Sequence, residues 1–156
     1  MALQLDIGGI TLQLDISDYE PTDKDCWDSQ WCKCDFSFYS EGWLNYNKKS
    51  DEVLLSCEVE DLDLALTQLL CDKLCKPMEI SCIEPDFEFI LYPKHDLRSD
   101  PRYTYIQPGA EIADIFVEWR IHFWHDGLTA NYLTITLRRQ EIAAFRDYLS
   151  FIIGKT

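Results

Sequence analysis

Basic residues are scarce in this chain. Its 156 residues hold 28 Asp and Glu against 14 Lys and Arg, a formal net charge of −14 at pH 7. A field of that sign repels nucleic acid and anionic lipid and draws basic partners inward. No run of about 18 apolar residues occurs, so no membrane-spanning helix is expected. The N-terminal Met1-Ala2-Leu3-Gln4 has neither a basic segment nor a long apolar one, so no signal peptide is expected. There is no G-x-x-x-x-G-K-[ST] loop and no G-x-G-x-x-G fingerprint, which leaves nucleotide binding without support. No G-x-S-x-G elbow accompanies the three histidines His95, His122 and His125, so a hydrolase triad has no local basis. Seven cysteines, an odd number without a secretory signal, point to reduced thiols in the cytoplasm.

What is present is a packed α+β chain. Apolar residues make up 47% and aromatics 13%, too many for a disordered polymer. The length predicts a single domain over 1–156. The clearest pattern runs from Ile112 to Ile153. Ile115, Val117, Trp119, Ile121 and Phe123 alternate with Asp114, Glu118, Arg120 and His122, the period of a strand with one buried face. Asp126-Gly127 predicts a tight turn, and Leu133, Ile135 and Leu137 line one side of the returning strand. The period then lengthens: Ile142, Phe145, Leu149 and Ile152 form the stripe of a helix over about 140–153.

Earlier in the chain, Gly8-Gly9 joins two alternating segments, 3–7 and 10–16, in a two-residue hairpin. Trp31–Tyr39, Trp43–Asn47 and Val53–Val59 read as strands. Asp61, followed by Leu62, Ala65, Leu66, Leu69 and Leu70 and stopped by Pro77, predicts a helix over about 61–75. Met78–Ile83 and Asp86–Tyr92 read as further strands, and 93–111 as a long connection with a short strand at Tyr103–Ile106. The strand-to-helix progression at 53–75 is repeated at 129–153, a rhyme of pattern and not of identity. The expected fold is therefore antiparallel sheet built from hairpins, with both helices packed on it. The expected core is Leu5, Leu12, Leu14, Phe36, Leu55, Leu66, Leu69, Phe89, Val117, Trp119, Ile121, Leu133, Ile135, Phe145 and Leu149.

Cys26, Cys32, Cys34, Cys71 and Cys75 lack zinc-knuckle spacing and are expected to be buried apolar thiols, with no metal or cofactor. Glu84, Asp86 and Glu88 are read as a solvated acidic face and not as an acid–base pair. Aromatic residues in polar stretches carry more information. Trp27, Trp31, Tyr39 and Trp43 lie among Asp25, Asp28, Asp35 and Glu41, the composition of an acidic surface with aromatic anchors for a protein partner. Trp27 and Trp31 fit covered rings equally well, and Phe116 and Trp124 are expected to be covered.

The order of segments carries a resemblance. Leu3-Gln-Leu-Asp-Ile-Gly-Gly-Ile-Thr-Leu, Glu60-Asp-Leu-Asp-Leu, Glu84-Pro-Asp-Phe-Glu-Phe and Leu133-Thr-Ile-Thr-Leu-Arg-Arg-Gln-Glu-Ile-Ala-Ala-Phe occur in sequence. Together they are similar to the WapI-type immunity proteins of bacterial polymorphic toxin systems, over most of the chain except Pro93 to Glu111. The resemblance implies a cytoplasmic, non-enzymatic inhibitor that occludes the active site of a cognate toxin domain, such as a nuclease. The toxin would be basic; no nucleic acid or membrane partner is implied. A monomer or weak dimer is expected. The alternative is a small-molecule-binding domain or hydrolase with a pocket near 93–111.

Overall fold

The computed structural model describes residues 1–22, 29–96, 98, 105 and 113–155. The elements are β1 (Leu3–Ile7), β2 (Ile10–Ser17), β3 (Lys33–Ser40), β4 (Leu44–Asp51), α1 (Ser56–Leu70), β5 (Met78–Ser81), β6 (Phe87–Asp96), β7 (Ala113–Trp124), β8 (Leu128–Leu137) and α2 (Arg139–Ile153). The strands form two antiparallel four-stranded sheets, ordered β1-β2-β3-β4 and β5-β6-β7-β8. Each half of the chain is thus a four-stranded meander followed by a helix. This is the repeated progression seen in the sequence, now visible as two ββββα units whose helices pack on each other.

The hairpins form where turn chemistry allows. Gly8 and Gly9 have φ of 56° and 85°, which matches the twist of β1 and β2 in a way most L-residues resist. The strands then alternate as expected: Leu12, Leu14 and Ile16 on β2 point inward with Cys34, Phe36 and Phe38 on β3. On the second sheet Phe87, Phe89 and Leu91 of β6 oppose Ile121, Trp119 and Val117 of β7. The inner faces and both helices share one apolar cluster. At its centre Trp119 meets four rings: Phe145 of α2 stacked at 5.0 Å, Phe87 and Phe89 each at 5.1 Å, and Phe38 of the other sheet at 6.0 Å. Of the expected core, all residues are buried except Leu133, which is half-buried near the open side of β8.

The first helix departs from expectation. It begins at Ser56, not Asp61, and the predicted strand Val53–Val59 is replaced by an extended approach and the first helical turn. The reason lies in residues distant in sequence. The amide of Ser56 donates to the carbonyl of Gln30 at 2.8 Å, and that of Cys57 to Ser29 Oγ at 2.8 Å. Glu58 reaches back to accept the Leu55 amide at 2.8 Å. The orphan donors of the helix start are therefore met by the 29–30 segment, which no local pattern reports. The helix ends at Leu70, not Cys75, because Asp72 takes a left-handed backbone (φ 57°) and Lys73 N–H closes on the Gln68 carbonyl. The second helix matches its expectation and ends at Gly154, φ 86°, whose amide donates to Ser150 and Phe151 carbonyls. β4 is longer than expected and runs to Asp51. The expected strand at Tyr103–Ile106 lies outside the described residues apart from Tyr105.

Two carboxylates tie the elements together. Asp63, buried on α1, accepts Ser150 Oγ at 2.6 Å and Lys155 Nζ at 2.8 Å, which joins α1 to the end of α2. Glu60 accepts the Tyr19 hydroxyl and the Thr22 amide (3.1 Å), which pins the segment after β2 onto α1. Burial pushes the Glu60 pKa up, but the hydrogen bonds from Tyr19 and Thr22 and the charge of Lys155 together pull it below its ordinary value. A depressed folded-state pKa means stability that is present above the unfolded value, about 4.3, and lost as pH falls through the folded value.

Two outcomes are expected. Phe145→Asp places an unpaired charge against Trp119 and removes the cooperative melt seen by circular dichroism, since several kcal/mol approach the whole stability of a domain, about 5–15 kcal/mol. A folded Phe145→Asp protein would contradict this packing. Glu60→Gln flattens the acid limb of the stability curve between about pH 5 and pH 3, while the wild type loses stability there. Urea titrations at stepped pH measure the difference.

Candidate partner-binding surface

Alternation that sends leucine and phenylalanine inward sends polar side chains outward. On the first sheet the outward set is Gln4 and Asp6 of β1, Thr11, Gln13, Asp15 and Ser17 of β2, Lys33, Asp35, Ser37 and Tyr39 of β3, and Asn45 and Asn47 of β4; the one lysine of this set is paired with Glu52 at 2.7 Å. Cross-strand pairing puts them in one field: Gln13 opposite Gln4 and Ser37, Asp15 opposite Asp35, Tyr39 opposite Thr11 and Asn45. No described helix lies over this face; both helices sit against the inner side and the second sheet. Asp6 accepts Thr11 Oγ1 at 2.9 Å, and Asp35 accepts the Ser50 amide at 2.6 Å, so these acids are held in place on the open face. Asp15 and Asp35 are direct neighbours of like charge, an arrangement that favours a cation set against it.

The β3–β4 turn forms one corner of the field. Gly42, at φ 85°, lets the chain reverse there, and the Trp43 amide donates to the Ser40 carbonyl at 3.3 Å. Tyr39 and Trp43 flank the turn with 49% and 65% of their surfaces exposed, and Glu41 is exposed between them. Of the residues expected to bind a partner, the structure therefore gathers Tyr39, Glu41 and Trp43 at this corner. Asp35 stands on the same face of β3 four residues away, about 13 Å at the rise of a strand. Trp31 is not part of the group: it is half-buried at the far end and bridges to Leu55 at the foot of α1. Asp25, Trp27 and Asp28 lie outside the described residues. Asp6, Thr11, Gln13, Asp15, Asn45 and Asn47 were not singled out by sequence reasoning. Their signal was the polar phase of each strand, which identifies an open face once the strands are known to be neighbours.

The second sheet's outer face is built differently. Phe116 is covered, as expected, by Tyr92 stacked at 4.3 Å and by the Arg138 guanidinium at 5.8 Å. His122 Nε2 lies 2.9 Å from Glu88 Oε2, and Arg120 sits over the Tyr132 ring at 5.6 Å. Trp124 is half-buried, with Lys48 Nζ 4.7 Å from its ring centre. The expectation of a solvated Glu84, Asp86 and Glu88 face is overturned at Asp86. Only 2% of that residue is exposed, because the chain entering β6 turns it under β4, where Lys48 approaches to 3.4 Å. Burial pushes its carboxyl above the ordinary range despite the lysine. His95 caps the Pro93 carbonyl region at 3.0 Å and His125 lies in the β7–β8 turn, so the three histidines are not assembled together.

The described cysteines run from buried to exposed, with Cys82 half-buried between the extremes. Cys32, Cys34 and Cys57 are buried, and burial pushes the Cys34 thiol up to about 12. Cys71 and Cys75 are exposed, contrary to expectation, because the helix stops at Leu70 and leaves both beyond the packed stripe. Cys26 lies outside the described residues. Among the described residues no three His, Cys, Asp or Glu side chains converge as metal ligands. No described helix is long and apolar enough to cross a membrane. Iodoacetamide labelling followed by peptide mass spectrometry is expected to modify Cys71 and Cys75 quickly and Cys32, Cys34 and Cys57 only on unfolding. Fast labelling of Cys34 in the native protein would contradict the inner-face packing of β3.

No curated protein matches this chain. A family model described as the immunity protein WapI-like family matches residues 3–156, from the first strand through the terminal helix. The match spans both meanders and both helices, and the chain belongs to the immunity protein WapI-like family.

Proposed function

We propose that this immunity protein binds a cognate toxin domain through the open face of its first sheet and neutralises it by covering the toxin's active site. The partner is a basic protein, such as a nuclease whose substrate cleft is lined with cations. The protein acts in the cytoplasm by occlusion and not by catalysis. The observation that carries the reading is the acidic face, over which no described helix lies, with Tyr39 and Trp43 at its corner. Family membership supports the immunity role in general.

The physical division of labour follows from the residues. Asp6, Asp15 and Asp35, part of a net charge of −14, raise the encounter rate with a cationic cleft and hold its lysines and arginines where substrate phosphates would lie. Tyr39 and Trp43 supply apolar area with little rotamer entropy to lose, which is what an interface anchor needs. Polar Gln, Asn, Ser and Thr side chains between them offer donors and acceptors without a charge to desolvate.

The test seeks a toxin domain in the gene immediately upstream, co-expresses it with this protein and asks whether the two co-purify. Trp43→Ala is expected to weaken the complex by about 2–4 kcal/mol, mainly through faster dissociation. Asp15→Lys, which faces Asp35 and so leaves the fold intact, is expected to slow association and reduce the salt dependence of the rate. Surface plasmon resonance at two ionic strengths separates the two. A complex indifferent to both substitutions would move the interface elsewhere; no complex with the neighbouring toxin would defeat the reading.

A further inference from the structure

Four strands end the two sheets, and three of their outer edges are guarded. β1 is five residues long and carries Asp6; β5 is four residues long and carries Glu79. β4 bears Lys48, Lys49 and Asp51, and its pairing with β3 is broken by a register shift. Short length, charge and bulges are the devices that keep sheet edges from pairing with other chains. β8 has the least protection. Its ten residues, Leu128-Thr-Ala-Asn-Tyr-Leu-Thr-Ile-Thr-Leu137, include no charge and no proline. The irregularity in its pairing with β7 is confined to the turn end, between Tyr132 and Leu128; from Tyr132 to Leu137 the register is continuous. Tyr132 and Leu128 are 53% and 49% exposed, and Leu133 is only half-covered although it belongs to the inward row.

We propose that the outer edge of β8, which no described strand pairs although β1 approaches it, pairs antiparallel with β8 of a second copy, joining two four-stranded sheets across a two-fold axis. The composition of β8 favours a second copy over a toxin strand. A two-fold contact requires a self-complementary edge, and an uncharged strand of alternating Leu/Ile and Thr/Tyr is self-complementary. The incoming strand sets its own Leu133 and Ile135 beside the half-covered Leu133 row and its Tyr132 beside Thr134. A basic toxin is drawn by charge, and β8 offers none. This contact is independent of the acidic face on the first sheet, so either can fail alone.

The opposing force is the repulsion of two chains of −14 each. Salt screens it, the Debye length falling from about 14 Å at 0.05 M to about 4 Å at 0.5 M. Self-association through a neutral edge therefore tightens as salt rises, opposite to the response expected of an electrostatic toxin complex. Sedimentation equilibrium of the intact protein from micromolar to submillimolar concentration is the experiment. The expected result is a monomer–dimer equilibrium that tightens with sodium chloride. Concentration-dependent amide protection should be confined to 129–137. Thr134→Glu faces Arg120 of β7, so it keeps the fold, yet it sets a carboxylate on each copy at the new seam. It is expected to weaken the dimer about tenfold or more, while Asn45→Glu, the same charge added on the other sheet, changes it little. The proposal is overturned by a monomer at all concentrations and salts. It is equally overturned by a dimer that Thr134→Glu leaves intact, or that both substitutions weaken alike. Near-ultraviolet circular dichroism of Thr134→Glu confirms that a lost dimer is not a lost fold.

Discussion

The position of one indole ring constrains the rest of this molecule. Trp119 is fully buried and lies against rings from its own sheet, from the opposite sheet and from the terminal helix. Rings in such contact prefer edge-to-face or offset geometry, and both occur here: Phe38 and Phe87 approach edge-on, while Phe145 lies parallel. Removing any one ring leaves a void that the others cannot fill without tilting, so the two meanders cannot slide independently. The second tie is polar. Asp86, lodged with Lys48 beneath β4, and Tyr46, whose hydroxyl accepts the Trp124 amide at 3.2 Å, fasten the far ends of the sheets together.

Fastening the sheets through their inner faces decides what remains outside. Both helices are used on the inner side, so neither is left to cover the first sheet's outer face. The chain therefore keeps that face soluble with Gln, Asp, Thr, Ser and Asn, the pattern of an antiparallel sheet with one wet side. The second sheet uses a different solution on its outer face. Phe116 would be a liability in water, and Tyr92 and Arg138 lie over it; Glu88 with His122, and Arg120 with Tyr132, pair off the remaining groups. The two exteriors differ in consequence. One is an open acidic field with two free aromatics; the other is a closed mosaic whose charges already have partners.

Much of this was legible in the sequence, wherever structure follows from near neighbours. Period-two alternation located the β1–β2 and β7–β8 hairpins, and Asp126-Gly127 located a turn, because side-chain direction and φ are local properties. The stripe of Ile142, Phe145 and Leu149 located α2 for the same reason. The start of α1 was illegible because Ser29 and Gln30 supply its cap from a distance, and Val53-Leu54-Leu55 imitates a strand while being buried throughout. Asp86 was misread because a turn, not a strand phase, aims it inward. At the candidate site the aromatic corner was legible from composition. The acidic field around it was not, since Asp6, Asp15 and Asp35 become neighbours only once β1, β2 and β3 are laid side by side.

The two ββββα units share a plan but not an exterior, and the difference follows from where each places its charge. In the first unit acids stand on the sheet exterior, and the edge strand β4 carries lysines. In the second unit the edge strand β8 carries no charge, and the acids of β6 and β7 lie against a basic partner, Glu88 with His122, Asp96 with Arg98 and Asp114 with Arg139, or sit nearly buried, as Glu118 does. A duplicated architecture with one shared core leaves both exteriors free to diverge, because neither is needed to hold the fold. The first exterior attracts from a distance, through a field that reaches about one Debye length into solvent. The second can act only on contact, through backbone groups and an apolar row. Salt screens the field of the first exterior and leaves the uncharged edge of the second as it is.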